Sequence, residues 1–209
     1  DKTAYRYQQT LACKVMKEHT EMRCKSLPGV GKDLQWWIRV GEAGSGAEST
    51  ESAENPAVKT RYEAPTIVQV EGPGAYQGGT SGGKRIQLKG TSFGPTYATQ
   101  GWGHKQVDLI EFWSADNTDH RFVLEACTVI GADDIMDCYT PPGVGKDLIF
   151  QLTIAGQSSP VNKELRDCSM VAKSNNDEIE CAGALPSYAP PVIASLHRSK
   201  NTSVTAPDV

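Results

Sequence analysis

Between Thr66 and Ile154 apolar and polar residues alternate with a period of two, in one short run after another. The runs are TIVQV (Thr66 to Val70), RIQLKG (Arg85 to Gly90), QVDLIEFW (Gln106 to Trp113), HRFVLEACTVI (His120 to Ile130), DIMDCYT (Asp134 to Thr140) and DLIFQLTI (Asp147 to Ile154). Such alternation sends side chains to opposite faces of a pleated strand, so each run predicts a half-buried β-strand. Gly, Pro, Asn or Asp separates most of them at hairpin-like intervals. No stretch beyond about two turns carries a 3.6-residue period, and helix-stop residues recur too often for helices to form.

Short strands at this density predict an all-β chain built as an immunoglobulin-like sandwich. The chain also repeats itself. ACKVMKEHTEMRCKSLPGVGKDL (Ala12 to Leu34) recurs without a gap as ACTVIGADDIMDCYTPPGVGKDL (Ala126 to Leu148), and YEAPTIVQV (Tyr62 to Val70) is echoed by YAPPVIASL (Tyr188 to Leu196). The two echoes have different spacings, which marks an insertion. The order of the pieces predicts the closing half of a unit in residues 1–41, a linker in 42–61 and a complete unit in 62–157. An insertion with a cysteine pair follows in 158–187, and the opening strand of a further unit in 188–209. The linker GEAGSGAESTESAENPAVKT is small, polar and acidic, and reads as a solvated connection.

The 209 residues suffice for one large or two small domains with a real core. A formal charge of -4 leaves no basic footprint, so no nucleic-acid partner is expected. No apolar run reaches the length of a membrane span, so direct membrane insertion is not expected either. The opening Asp1-Lys2-Thr3 lacks a secretory leader, as in a mature or excised form. Six cysteines fall into three local pairs, Cys13/Cys24, Cys127/Cys138 and Cys168/Cys181, without a C-x-x-C knuckle, and the four histidines are scattered. Disulfides in an oxidising, extracellular or cell-surface setting fit this pattern better than zinc, and no metal or other cofactor is expected.

Candidate chemistry is thin. In GGTSGGKRIQLKG (Gly78 to Gly90) the segment Gly79–Gly83 fits the G-x-S-x-G of a nucleophile elbow, and Gly78–Lys84 fits G-x-x-x-x-G-K. Both motifs need a helix after the loop, and here a strand-like run follows, with Arg85 where a phosphate loop requires Ser or Thr. The glycines are expected instead to supply positive-φ turn positions. Asp133-Asp134 and Asp116 with Asp119 lack the ligand spacing of a calcium loop and read as turn carboxylates. His104 beside Trp102 could stack a sugar, but it has no partner acid or base. No catalytic residue, and so no enzyme, is expected.

Together APTI, GGTSGGKRIQLKGTSFGP, ACTVI, IMDCYTPPGVGKD and YAPPVI resemble the IPT/TIG domain, an immunoglobulin-like fold of plexins, growth-factor receptors and, without the cysteines, Rel-type transcription factors. The resemblance covers residues 64–156, the closing half in 12–41 and the opening in 188–196. It implies IPT-like sandwiches in tandem, one complete and one incomplete. It also implies Cys127–Cys138 and Cys13–Cys24 disulfides that clamp adjacent strands, while Cys168 is paired with Cys181 only because the two are neighbours.

A half sandwich leaves its inner face in water. Here that acceptor face is drawn from Leu11, Val15, Met22, Leu34, Trp36 or Trp37, Ile38 and Val40. The opening strand, with Tyr188, Pro190, Pro191, Val192, Ile193 and Leu196, could complete such a face in another molecule by main-chain pairing. Head-to-tail repetition of that contact builds a filament, so self-association into a homopolymer is the expected partnership. The alternative is a receptor or adhesin ectodomain whose loops, such as FGPTYATQGWGHK, bind protein or glycan. Asn201-Thr202-Ser203 is the one N-glycosylation sequon, placing a candidate glycan on Asn201.

Overall fold

The computed structural model describes residues 13–36, 38–40, 50–51, 57–96, 107–131, 133–161 and 185–195. Within them the chain is all-β. The strands are β1 (Cys13–Lys17), β2 (Glu21–Cys24), β3 (Leu34–Gln35), β4 (Arg39–Val40), β5 (Thr50–Glu51), β6 (Lys59–Thr60), β7 (Thr66–Glu71), β8 (Arg85–Thr91), β9 (Leu109–Ser114), β10 (Asn117–Val123), β11 (Glu125–Val129), β12 (Ile135–Tyr139), β13 (Leu148–Ile154) and β14 (Gln157–Ser158). Eight of them make two antiparallel four-stranded sheets, ordered β11-β12-β8-β7 and β10-β9-β13-β14.

The alternation in the sequence becomes the sandwich-like core directly. Along β8, Ile86 and Leu88 are buried while Arg85 is exposed and Gln87 and Lys89 are half-buried. The register sets Met136 opposite Leu88 and Cys138 opposite Ile86, so one sheet face is continuously apolar. The second sheet answers with Ile110, Phe112, Phe150 and Leu152, and all of these belong to one buried cluster. The outer face of β8 is polar and paired: Arg85 donates two hydrogen bonds to Asp137, Gln87 donates a third, and Lys89 meets Glu71 at 2.8 Å. Gly90 is required by crowding, since a side chain there would overlap the Thr66 carbonyl and the Phe93 ring.

Three features differ from the sequence reading. The run His120–Ile130 is two strands: β10 pairs with β9 in one sheet, and β11 pairs with β12 in the other. The chain changes sheets at Leu124. A bulge follows in which Ala126 takes φ 48° and the register slips between Glu125 and Thr128. That slip lets Phe122 and Leu124 face the core and then Cys127 and Val129 face it too, across an odd step that an unbroken strand forbids. The complete unit also runs past residue 157, because Ser159 is buried and exchanges hydrogen bonds with the Leu152 backbone. Finally, four residues of 42–61 are strand-paired, while the side chains described there, at 57–61, are exposed as a solvated connection requires. β5 pairs with β4, and β6 pairs with β3, so this segment folds back along Leu34–Val40.

Candidate functional site

The segment after the insertion is seated on the complete unit. Ser187 donates to the Ala75 carbonyl, Gly78 donates to Ser187, and Ala189 donates back to Gly78. Tyr188 donates its amide to the Gly145 carbonyl at 2.9 Å and its hydroxyl to the Pro141 carbonyl at 2.8 Å. Its ring lies 6.3 Å from that of Phe112 and 6.2 Å from that of Phe122. Gly143 lies beneath the ring, where any Cβ would come within 2.7 Å of it. Burial pushes the Tyr188 phenol from its ordinary 10.0 up to about 12. The expectation that Tyr188 begins an inter-subunit strand therefore needs correction: its side chain is part of its own chain's core. Beyond it, Pro190, Pro191, Val192 and Ile193 are exposed.

The same clamp occurs a second time. In the repeat Gly31 stands where Gly145 does, Leu27 where Pro141 does, and Tyr62 where Tyr188 does. The Tyr62 amide donates to the Gly31 carbonyl at 2.9 Å, and its hydroxyl donates to the Leu27 carbonyl at 2.7 Å. Even the flank matches, since Leu34 pairs with Thr60 as the Leu148 amide bonds the Pro186 carbonyl. Burial raises the Tyr62 phenol as well. The clamp is thus a property of the Pro-Gly-Val-Gly turn together with the tyrosine that opens the next stretch. The sequence carried both halves of this signal, in the long repeat and in the weaker tyrosine echo.

The acceptor residues can be placed by the same correspondence. Val15 stands for Val129, Met22 for Met136, Leu34 for Leu148, Trp36 for Phe150 and Ile38 for Leu152. In the complete unit all five positions are buried. In the N-terminal segment Trp36 is 49% exposed against 1% for Phe150. Val15 and Ile38 are exposed too, and Met22 and Leu34 are half-buried. Trp36 keeps its indole N–H on the Thr60 hydroxyl. Removing the exposed parts of Val15, Trp36 and Ile38 from water contributes on the order of 5 kcal/mol at ~25 cal/mol per Å². β1 and β2 form a hairpin with Cys13 opposite Cys24, and these two are disulfide-bonded. Cys127 and Cys138 are bonded across β11 and β12 in the same way.

The remaining candidates fall into two groups. Leu11, Trp37, Cys168, Cys181, Leu196 and Asn201 lie outside the described residues, as do Trp102 and His104; of Val40 the backbone alone is described. Within the described residues the glycine loop is a turn. Gly82 and Gly83 take φ 73° and 71°, the Gly83 amide bonds the Thr140 carbonyl, and the chain passes directly into β8. Asp133 accepts a hydrogen bond from the Gly94 amide, and the Asp134 carbonyl accepts one from Gly90. Among the described residues no group of three or more His, Cys, Asp or Glu is placed to hold a metal ion.

What this chemistry and fold define, among the described residues, is an all-β arrangement of antiparallel sheets carrying two disulfides, which point to an oxidising environment. Compared with family models, curated proteins and solved structures, the chain matches none.

Proposed function

We propose that the protein is a structural, non-catalytic subunit of an extracellular filament, made of immunoglobulin-like units of the IPT/TIG type set head to tail. The open face of the N-terminal segment in one copy is covered by opening-strand material that starts beyond Tyr188 of another. One observation carries this reading: Val15, Trp36 and Ile38, in register with core residues of the complete unit, hold their apolar surface in water. A face with that composition and register is an unfinished sheet rather than a solvated one. The exposed Val192 and Ile193 supply strand-forming residues for it. The disulfides support an extracellular location, because such bonds persist where thiols are not kept reduced.

Sedimentation velocity and negative-stain microscopy of the purified chain test the proposal. Filaments or a concentration-dependent ladder of oligomers are expected. A well-dispersed monomer at every concentration refutes the filament.

A second reading, a surface ectodomain in which such units follow one another along a single polypeptide, is favoured by the Tyr62 clamp. That clamp joins the N-terminal segment to the complete unit within one chain. The ectodomain reading predicts a monomer in the same experiment, with protein or glycan ligands at the loops.

A further inference from the structure

The two disulfides of the repeat sit in opposite surroundings. Cys127 is half-buried and Cys138 is 0% exposed, in a four-stranded sheet where β12 lies between β11 and β8. Their counterparts Cys13 and Cys24 are both exposed, and β1 and β2 form a two-stranded sheet whose close contacts are with each other. The charge around the sulfurs differs as well. Next to Cys13 and Cys24 stand Lys14, Arg23 and Lys25, all exposed, where the complete unit has Thr128, Asp137 and Tyr139. Lys14 is set opposite Arg23 in the strand register, and Arg23 is ion-paired with Glu21 toward the turn.

We propose that Cys13–Cys24 is a thiol–disulfide exchange site for small-molecule thiols, open while the N-terminal face is uncovered, and that Cys127–Cys138 is a purely structural crosslink. Exchange needs a path for a thiolate to reach sulfur, and only the N-terminal bond offers one on both of its cysteines. Lysine and arginine beside a sulfur draw in the anionic attacker and stabilise the thiolate that departs. The attacking thiolate bonds to one cysteine sulfur, the Cys13–Cys24 bond breaks, and the other cysteine leaves as a thiolate that takes its proton from solvent. A second thiolate attacks the mixed disulfide. The chain then holds two thiols, and the two small thiols are oxidised to their own disulfide. A two-stranded hairpin is marginal in water without such a link, so exchange loosens β1 and β2 and with them Val15 and Met22 of the open face. The exchange itself is independent of the filament reading. Its consequence, redox control of the face that assembles, rests on that reading.

The test treats the full, folded chain, diluted until it sediments as a monomer, with glutathione, traps free thiols with iodoacetamide and reads each cysteine by peptide mass spectrometry. Cys13 and Cys24 are expected to be labelled at least about tenfold faster than Cys127 and Cys138, and in urea the two rates converge to within a few-fold. Equal rates in the folded chain, or faster labelling of Cys127 and Cys138, overturn the proposal. Lys14→Gln with Lys25→Gln, both at exposed positions, is expected to slow labelling of Cys13 and Cys24 about threefold and to leave Cys127 and Cys138 unchanged. An unchanged rate in that variant refutes the part assigned to the cations. Labelling is read whether or not the chain assembles at higher concentration, so failure of the exchange and failure of the filament reading are separate results.

Discussion

Replacing Tyr188 separates the clamp within one chain from a clamp between chains. Tyr188→Phe removes one hydroxyl-to-carbonyl bond of 2.8 Å and leaves the Pro141 carbonyl without that donor, a loss of about 1 kcal/mol. Tyr188→Ala also deletes a ring packed between Phe112, Phe122 and the bare backbone of Gly143. Aromatic-to-alanine changes in cores cost about 3–5 kcal/mol, so the alanine variant is expected near 4 kcal/mol below wild type and the phenylalanine variant near 1. Urea unfolding followed by circular dichroism measures both, the loss appearing as a lower midpoint at unchanged slope. Because the ring enters its own chain's core, the midpoints are expected to be independent of protein concentration. An alanine variant within about 1 kcal/mol of wild type, or a loss that vanishes on dilution as linkage to a partner requires, refutes the clamp as described.

Three further outcomes are expected. Cys127→Ala with Cys138→Ala opens a loop of sequence separation 11 and lowers the stability of the complete unit by about 3 kcal/mol in the same urea assay. The matching change at Cys13 and Cys24 accelerates amide exchange in β1 and β2 and leaves the midpoint of the complete unit where it was. Alkaline titration reads the clamp directly: the folded chain holds the Tyr188 proton to about 12 against 10.0 ordinarily, so folding disfavours the phenolate. That stability is whole below pH 10 and is lost as pH rises toward 12, and Tyr188→Phe removes Tyr188's part of the loss, which the midpoint as a function of pH will show.

Much of the fold was legible because alternation and burial are one fact seen twice. Arg85–Gly90 and Asp147–Ile154 read as strands since one face of each had to be apolar, and they form β8 and β13. The split of His120–Ile130 was harder to read. Its core-facing residues fall at Phe122, Leu124, Cys127 and Val129, and the step of three between the middle pair is the trace of the bulge at Ala126. A window scored for alternation passes over one such slip. The pairing of β5 with β4 and of β6 with β3 left no apolar signature in 42–61, since β5 and β6 are two residues long and polar. Tyr188 was visible as the echo of Tyr62, but a tyrosine ahead of a strand-like run looks the same whether it docks on its own chain or on another. Only the geometry of the Gly143–Gly145 turn distinguishes them.

The placement of the two disulfides among the described residues bears on how such a chain responds to tension. Each crosslink ties residues eleven positions apart on neighbouring strands, so when a unit is pulled open by its ends the enclosed stretch cannot pay out. At ~3.4 Å of contour per residue, that withholds about 37 Å per crosslink from the unravelled length. A reduced chain would stretch further under the same load, and the oxidised one keeps β11 and β12 stapled side by side as a seed from which the unit can close again.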